Sequence, residues 1–147
     1  MSHDALNLPR IPEADRGDCQ ALIHAFCHFI DHGEAPKVVG LFTDDGVFDR
    51  KGAVLRGHAA LAEAMAKRPP GMVTRHVCSN IVLRAESPDR IVGTTAFLLL
   101  RRDGAATAAD TSPTACLEAV GDFEDVFVRT PAGWRIASRK AVPVFAR

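Results

Sequence analysis

The hydrophobic period of the chain changes about halfway along. Over residues 13–32 the apolar side chains Cys19, Leu22, Ile23, Phe26 and Ile30 recur at helical spacing, and Gly33 follows as a terminating residue. A second, shorter helix is predicted to begin with Pro36 in its first turn and to run through Val38, Val39 and Leu41. The segment FTDDGVFD is then expected to turn at Asp44, Asp45 and Gly46 and to enter a short strand around Val47 and Phe48. A third helix follows Gly57, where HAALAEAMAKR is rich in helix formers until Pro69 and Pro70 stop it.

Beyond Pro70 the pattern is that of strands. Residues 72–85, 90–102, 115–129 and 134–145 are four long strand candidates, with turn chemistry at Ser87-Pro88-Asp89 and at Thr130-Pro131-Ala132-Gly133. Residues 103–113, DGAATAADTSP, are poor in bulky side chains and are expected to form a mobile loop. Helices first and antiparallel strands last predict an α+β domain, with helices covering one face of a curved sheet. The expected division is a tail over residues 1–12 and a single domain over 13–147.

Composition narrows the function classes. With 147 residues, 47% of them hydrophobic, the chain can bury a core without staples. Lys plus Arg and Asp plus Glu are both 18, and the cations are dispersed, so no field draws in nucleic acid or a membrane. MSHDALNLPRIP lacks the pattern of a secretory leader and AFLLL is the longest apolar run, so a soluble, cytoplasmic protein is expected. Cys19, Cys27, Cys78 and Cys116 form no CxxC pair, and buried free thiols are expected for those among apolar neighbours. No GxGxxG or Walker pattern occurs, so no nucleotide cofactor is called for.

Candidate chemistry centres on histidines. Alternation along TRHVCSNIVL puts Thr74, His76, Cys78, Asn80 and Val82 on one strand face and Arg75, Val77, Ser79, Ile81 and Leu83 on the other. The residues alone leave His76 open to two readings, a histidine bonded within the sheet or one facing a pocket. His24, His28 and His32, with Asp31, form a helical stripe that has metal-ligand spacing, but it lies opposite Leu22, Phe26 and Ile30. It reads as a solvated face, and no metal is expected. Asp122, Glu124 and Asp125 are expected to face solvent or to pair with arginines such as Arg135 and Arg139.

Three segments in this order, LFTDDGVFD with RGHAALAEAM behind it, then TRHVCSN, then GDFEDVFVRTPAGWRIASRKAV, resemble the SnoaL-like branch of the nuclear transport factor 2-like superfamily. The resemblance covers nearly all of the chain after Ala14. It implies a cone-shaped α+β fold, in which a strongly bent antiparallel sheet packs on three N-terminal helices around an apolar cavity. Within that branch the chain is most similar to the group of scytalone dehydratase and hexachlorocyclohexane dehydrochlorinase. Those enzymes remove a proton from a small hydrophobic substrate with a histidine oriented by an aspartate. Carried over, the resemblance implies His76 as the base, Asp31 as its partner and Arg139 as a stabiliser of negative charge.

There are departures. The chain has no tyrosine, and Arg50 and Ile30 stand where the dehydratase has the tyrosines that polarise its substrate. Phe26 replaces the helix lysine of the dehydrochlorinase. The resemblance thus implies proton transfer without fixing the reaction: a cofactor-independent lyase or isomerase acting on a hydrophobic ring compound, with Phe26, Phe48, Met65, Phe97 and Phe123 lining its pocket. The alternative is a non-catalytic ligand-binding or assembly module, resembling the small subunit of ring-hydroxylating dioxygenases. Strands such as RIVGTTAFLLL put apolar groups on both sheet faces, so a homodimer through the sheet is expected, with a trimer as the other option.

Overall fold

The computed structural model describes residues 10–104 and 116–147. Most of the expected tail, and the loop expected over 103–113 from residue 105 on, lie outside the described residues. Helix α1 (Glu13–Asp31) buries Cys19, Ile23, Phe26 and Cys27. It ends where Gly33 adopts φ +75°, letting the Glu34 N–H reach the Phe29 carbonyl at 2.8 Å. The second helix is a 3-10 helix, Ala35–Leu41, and α2 (Gly57–Ala66) buries Leu61 and Met65, one turn apart.

The region between the 3-10 helix and α2 differs from the expectation. Strand β1 (Phe42–Arg50) runs straight through Asp44-Asp45-Gly46, which form a bulge in place of a turn. Gly46 is required there, because a Cβ would lie 2.9 Å from both the Phe42 Cβ and the Thr43 carbonyl oxygen. The chain reverses at Lys51 and Gly52, φ +54° and +90°, into β2 (Ala53–Arg56), a hairpin that hydrophobic pattern alone did not reveal. Consequently α2 follows two strands, and the helices are not all N-terminal to the sheet.

The four long strands are β3 (Val73–Ser87), β4 (Arg90–Arg102), β5 (Cys116–Thr130) and β6 (Gly133–Ala146). They join β1 and β2 in one curled, open sheet of order β2-β1-β6-β5-β4-β3, antiparallel throughout except between β1 and β6. Helix α1 packs against β3 and β6, and α2 against β1 and β2. Phe26, Phe42, Phe127, Ile23 and Ile136 form the fully buried centre of the core between them. Among the described residues no helix is long and apolar enough to cross a membrane.

Two bulges decide what faces inward. In β3 the pairing with β4 shifts between Ser79 and Val82, where Asn80 takes φ +50°. Thr74, His76 and Cys78 point toward α1 before the bulge, and Ile81, Leu83 and Ala85 point inward after it. Val82, placed on the His76 face by simple alternation, is instead 59% exposed. In β6 Ala137 is the extra residue, since Ile136 pairs with Phe127 while Ser138 pairs with Val126. The buried series therefore runs Trp134, Ile136, Arg139.

Candidate active site

Asp31 is the last residue of α1, and the end of that helix abuts β3. Its carboxylate is saturated by that strand. Oδ1 accepts from His76 Nδ1 at 2.7 Å and from the Thr74 hydroxyl at 2.8 Å, and Oδ2 accepts from the His76 backbone N–H at 2.7 Å. The side chains of His76 and Asp31 are 9% and 5% exposed. Asp31 thus escapes the solvated stripe of its helix because it sits at the very end, where its side chain reaches across to the strand. His24, His28 and His32 stay on that stripe, exposed, with the rings of His28 and His32 stacked at 4.1 Å.

Burial alone would raise the Asp31 carboxyl, but the hydrogen bonds from the His76 ring, the His76 backbone and Thr74, with the attraction of the imidazole, hold it below the ordinary carboxylate value. An ionised Asp31 at Nδ1 fixes the tautomer that carries its proton there. His76 Nε2 is then the basic nitrogen. It has no hydrogen-bond partner among the described residues, and His76 lines a cavity of about 650 Å³.

The structure brings all five expected pocket side chains, Phe26, Phe48, Met65, Phe97 and Phe123, to the wall of that cavity. Phe97 and Phe123 stack at 4.4 Å, and the Phe123 ring lies 6.5 Å from that of His76. Arg139 lies elsewhere. It is fully buried behind this wall, sandwiched between the rings of Phe26 and Phe123 at 4.3 and 4.4 Å, and does not line the cavity. Two of its nitrogens, Nε and Nη2, each donate to a carboxylate oxygen of Asp125 at 2.7 Å, while Nη1 has no hydrogen-bond partner among the described residues. Burial works against its charge, but the paired Asp125 carboxylate keeps its pKa above the ordinary guanidinium value.

Cys19 and Cys27 are buried free thiols, Cys78 is a half-buried one, and Cys116 is exposed. Cys27 on α1 and Cys78 on β3 bring their sulfurs within 3.3 Å of each other, beside the dyad on the same two elements. That hydrogen bond lowers the Cys78 pKa and raises that of Cys27, which burial raises further.

Two polar residues of the site were not anticipated. Thr74 is in phase with His76 on β3, a signal the alternation contained. Arg68 follows α2 and donates Nη2 to the Thr74 hydroxyl at 2.9 Å and to the Met72 carbonyl at 3.3 Å. It reads in the sequence as an ordinary charge before two prolines, with no pattern to mark it.

A nearly buried carboxylate–imidazole pair thus borders a cavity within a curled α+β sheet. The chain belongs to the SnoaL-like domain family, whose profile matches residues 13–140. Among solved structures it is similar to a putative scytalone dehydratase from Novosphingobium aromaticivorans, at 14% identity and TM-score 0.77, over 91% of this chain and 87% of that one. It is similar as well to a hexachlorocyclohexane dehydrochlorinase (LinA) type 2, at 16% identity and TM-score 0.77, over 91% and 88%. The β subunit of a putative aromatic-ring-hydroxylating dioxygenase from Novosphingobium aromaticivorans aligns at 17% identity and TM-score 0.72, over 89% and 90%. At these identities the likeness is one of fold. No curated protein matches the chain.

Proposed function

We propose that this protein is a cofactor-independent lyase or isomerase that removes a proton from a hydrophobic ring compound. The observation that carries the reading is the 2.7 Å hydrogen bond that His76 Nδ1 donates to the Asp31 carboxylate, at a histidine that lines the cavity and whose Nε2 has no partner among the described residues. Nε2 takes the proton from an acidic C–H of the substrate. The electron pair of that bond becomes a new double bond. It either expels hydroxide or chloride from the neighbouring carbon, with the proton passing from the imidazolium to the departing hydroxide or to solvent, or shifts a double bond along the ring while the imidazolium returns the proton to the carbon at its far end. Asp31 stabilises the imidazolium meanwhile. Apolar walls exclude water from the reacting carbon.

The test is exchange of acidic C–H for deuterium in D2O, followed by NMR over a panel of bicyclic ketones with and without a β-hydroxy or β-chloro substituent. The parent should catalyse exchange or elimination on part of the panel. His76→Gln should lower the rate roughly 100- to 10,000-fold, as loss of a general base does, with unchanged circular dichroism. A parent without activity on the whole panel, or a His76→Gln variant at the parent rate, would sink the reading.

The dioxygenase-subunit likeness keeps a second reading, an assembly module, and the apolar outer face of the sheet favours it. Val77, Leu98 and Phe145 are exposed there. In the first reading that face is instead the seam of a homodimer.

A further inference from the structure

The mouth of the cavity is basic although the chain is neutral overall. Arg50, Lys51, Lys67, Arg68 and Arg101 line it, against the acids Glu63 and Glu118. Most of that charge is answered or solvated. Lys67 pairs with Glu63, and Arg101 with Asp103 and, at 3.8 Å, with Glu118, while Arg50 and Lys51 are exposed. Arg68 differs from these four. It is half-buried, makes no ion pair among the described residues, and uses only Nη2 in hydrogen bonds, so Nε and Nη1 are unused. Burial lowers its pKa from the usual guanidinium value; the Asp31 carboxylate opposes this and Arg101 adds to it.

A half-buried guanidinium on a cavity wall, with two donor groups spare, a like charge near it and no carboxylate in direct contact among the described residues, can take up an anion from the cavity. Its hydrogen bond to Thr74, which itself donates to Asp31, places it one hydroxyl away from the dyad. The remaining wall is aromatic and aliphatic. We infer that the ligand is an apolar ring compound bearing a carboxylate or similar anionic group, with Arg68 as the residue that selects it. The inference rests on the cavity being the substrate site, but not on His76 acting as a base.

The probes are 2-naphthoate and its uncharged methyl ester, titrated by calorimetry into the parent, Arg68→Gln, Arg68→Lys and His76→Gln proteins. The parent should bind the acid roughly tenfold or more tightly than the ester, the size of a charge-assisted hydrogen bond. Arg68→Gln should abolish that preference while leaving ester binding in place, and Arg68→Lys should keep part of it. His76→Gln should retain the preference, so loss of turnover and loss of anion selection are separately visible. Equal binding of acid and ester by the parent, no binding of either, or a preference that survives Arg68→Gln would overturn the inference.

Discussion

At the scale of single residues, Asp31 is the group on which the site depends, and its environment predicts an acid sensitivity. Its carboxyl is held below the ordinary value in the fold. Its ionised form therefore stabilises the protein fully above the unfolded-state pKa of about 3.9, and that contribution is lost as pH falls from there through the lower folded value. Urea midpoints at pH 6 and pH 3 should differ more for the parent than for Asp31→Asn, which has no carboxyl to protonate. The variant should be less stable at pH 6, since the amide has one accepting oxygen and turns an NH2 donor toward N–H and O–H groups, where the two carboxylate oxygens accept three hydrogen bonds. Equal pH dependence in the two proteins would mean that the dyad contributes nothing to the acid limb.

At the scale of elements, the pair of β5 and β6 shows how a polar group is placed by strand register. Asp125 and Arg139 are direct cross-strand partners, both fully buried as side chains, and the bulge at Ala137 brings Arg139 inward in the first place. Asp125→Asn leaves a guanidinium buried between two phenylalanines without its counter-charge, and should cost about 3–5 kcal/mol in denaturant unfolding. Replacing both residues by apolar ones of similar volume should cost much less, because the desolvation penalty goes with the charges. If the single substitution costs under about 1 kcal/mol, the pair is not the buried clamp described.

These two strands also mark the limit of what the sequence discloses. Four long strands and the helix over residues 13–32 were legible, because period is local, whereas the charge pattern left Asp122, Glu124 and Asp125 between solvent and arginines such as Arg135 and Arg139 without singling out the Asp125–Arg139 pair. The bulges at Asn80 and Ala137 were not, since a bulge is fixed by pairing with a neighbour. Without them, alternation puts Val82 beside His76 and turns Arg139 to the face opposite Trp134 and Ile136. The Lys51-Gly52 hairpin was missed for a related reason: β2 is four residues long, too short for a period to register. The Asp31–His76 bond was reached through the family resemblance, because the helical wheel alone turned Asp31 toward solvent.

At the scale of the whole molecule, the sheet has two faces and the helices cover one. Across the other, Val77 pairs with Leu98, Leu98 with Val120, and Val120 with Phe145, so an apolar row crosses β3, β4, β5 and β6. Val77, Leu98 and Phe145 are 51%, 38% and 69% exposed. In the homodimer proposed above, a two-fold axis covers the same row on both copies at once. A charge introduced into the row is then doubled in the interface. The parent should run at twice the chain mass by light scattering at micromolar concentration, and Leu98→Glu at the mass of one chain. Since Leu98 lies on the face away from the cavity, its substitution should leave naphthoate binding intact. A parent that is monomeric by itself, or a Leu98→Glu protein that remains a dimer, would remove the sheet face from the assembly and with it the self-association proposed above.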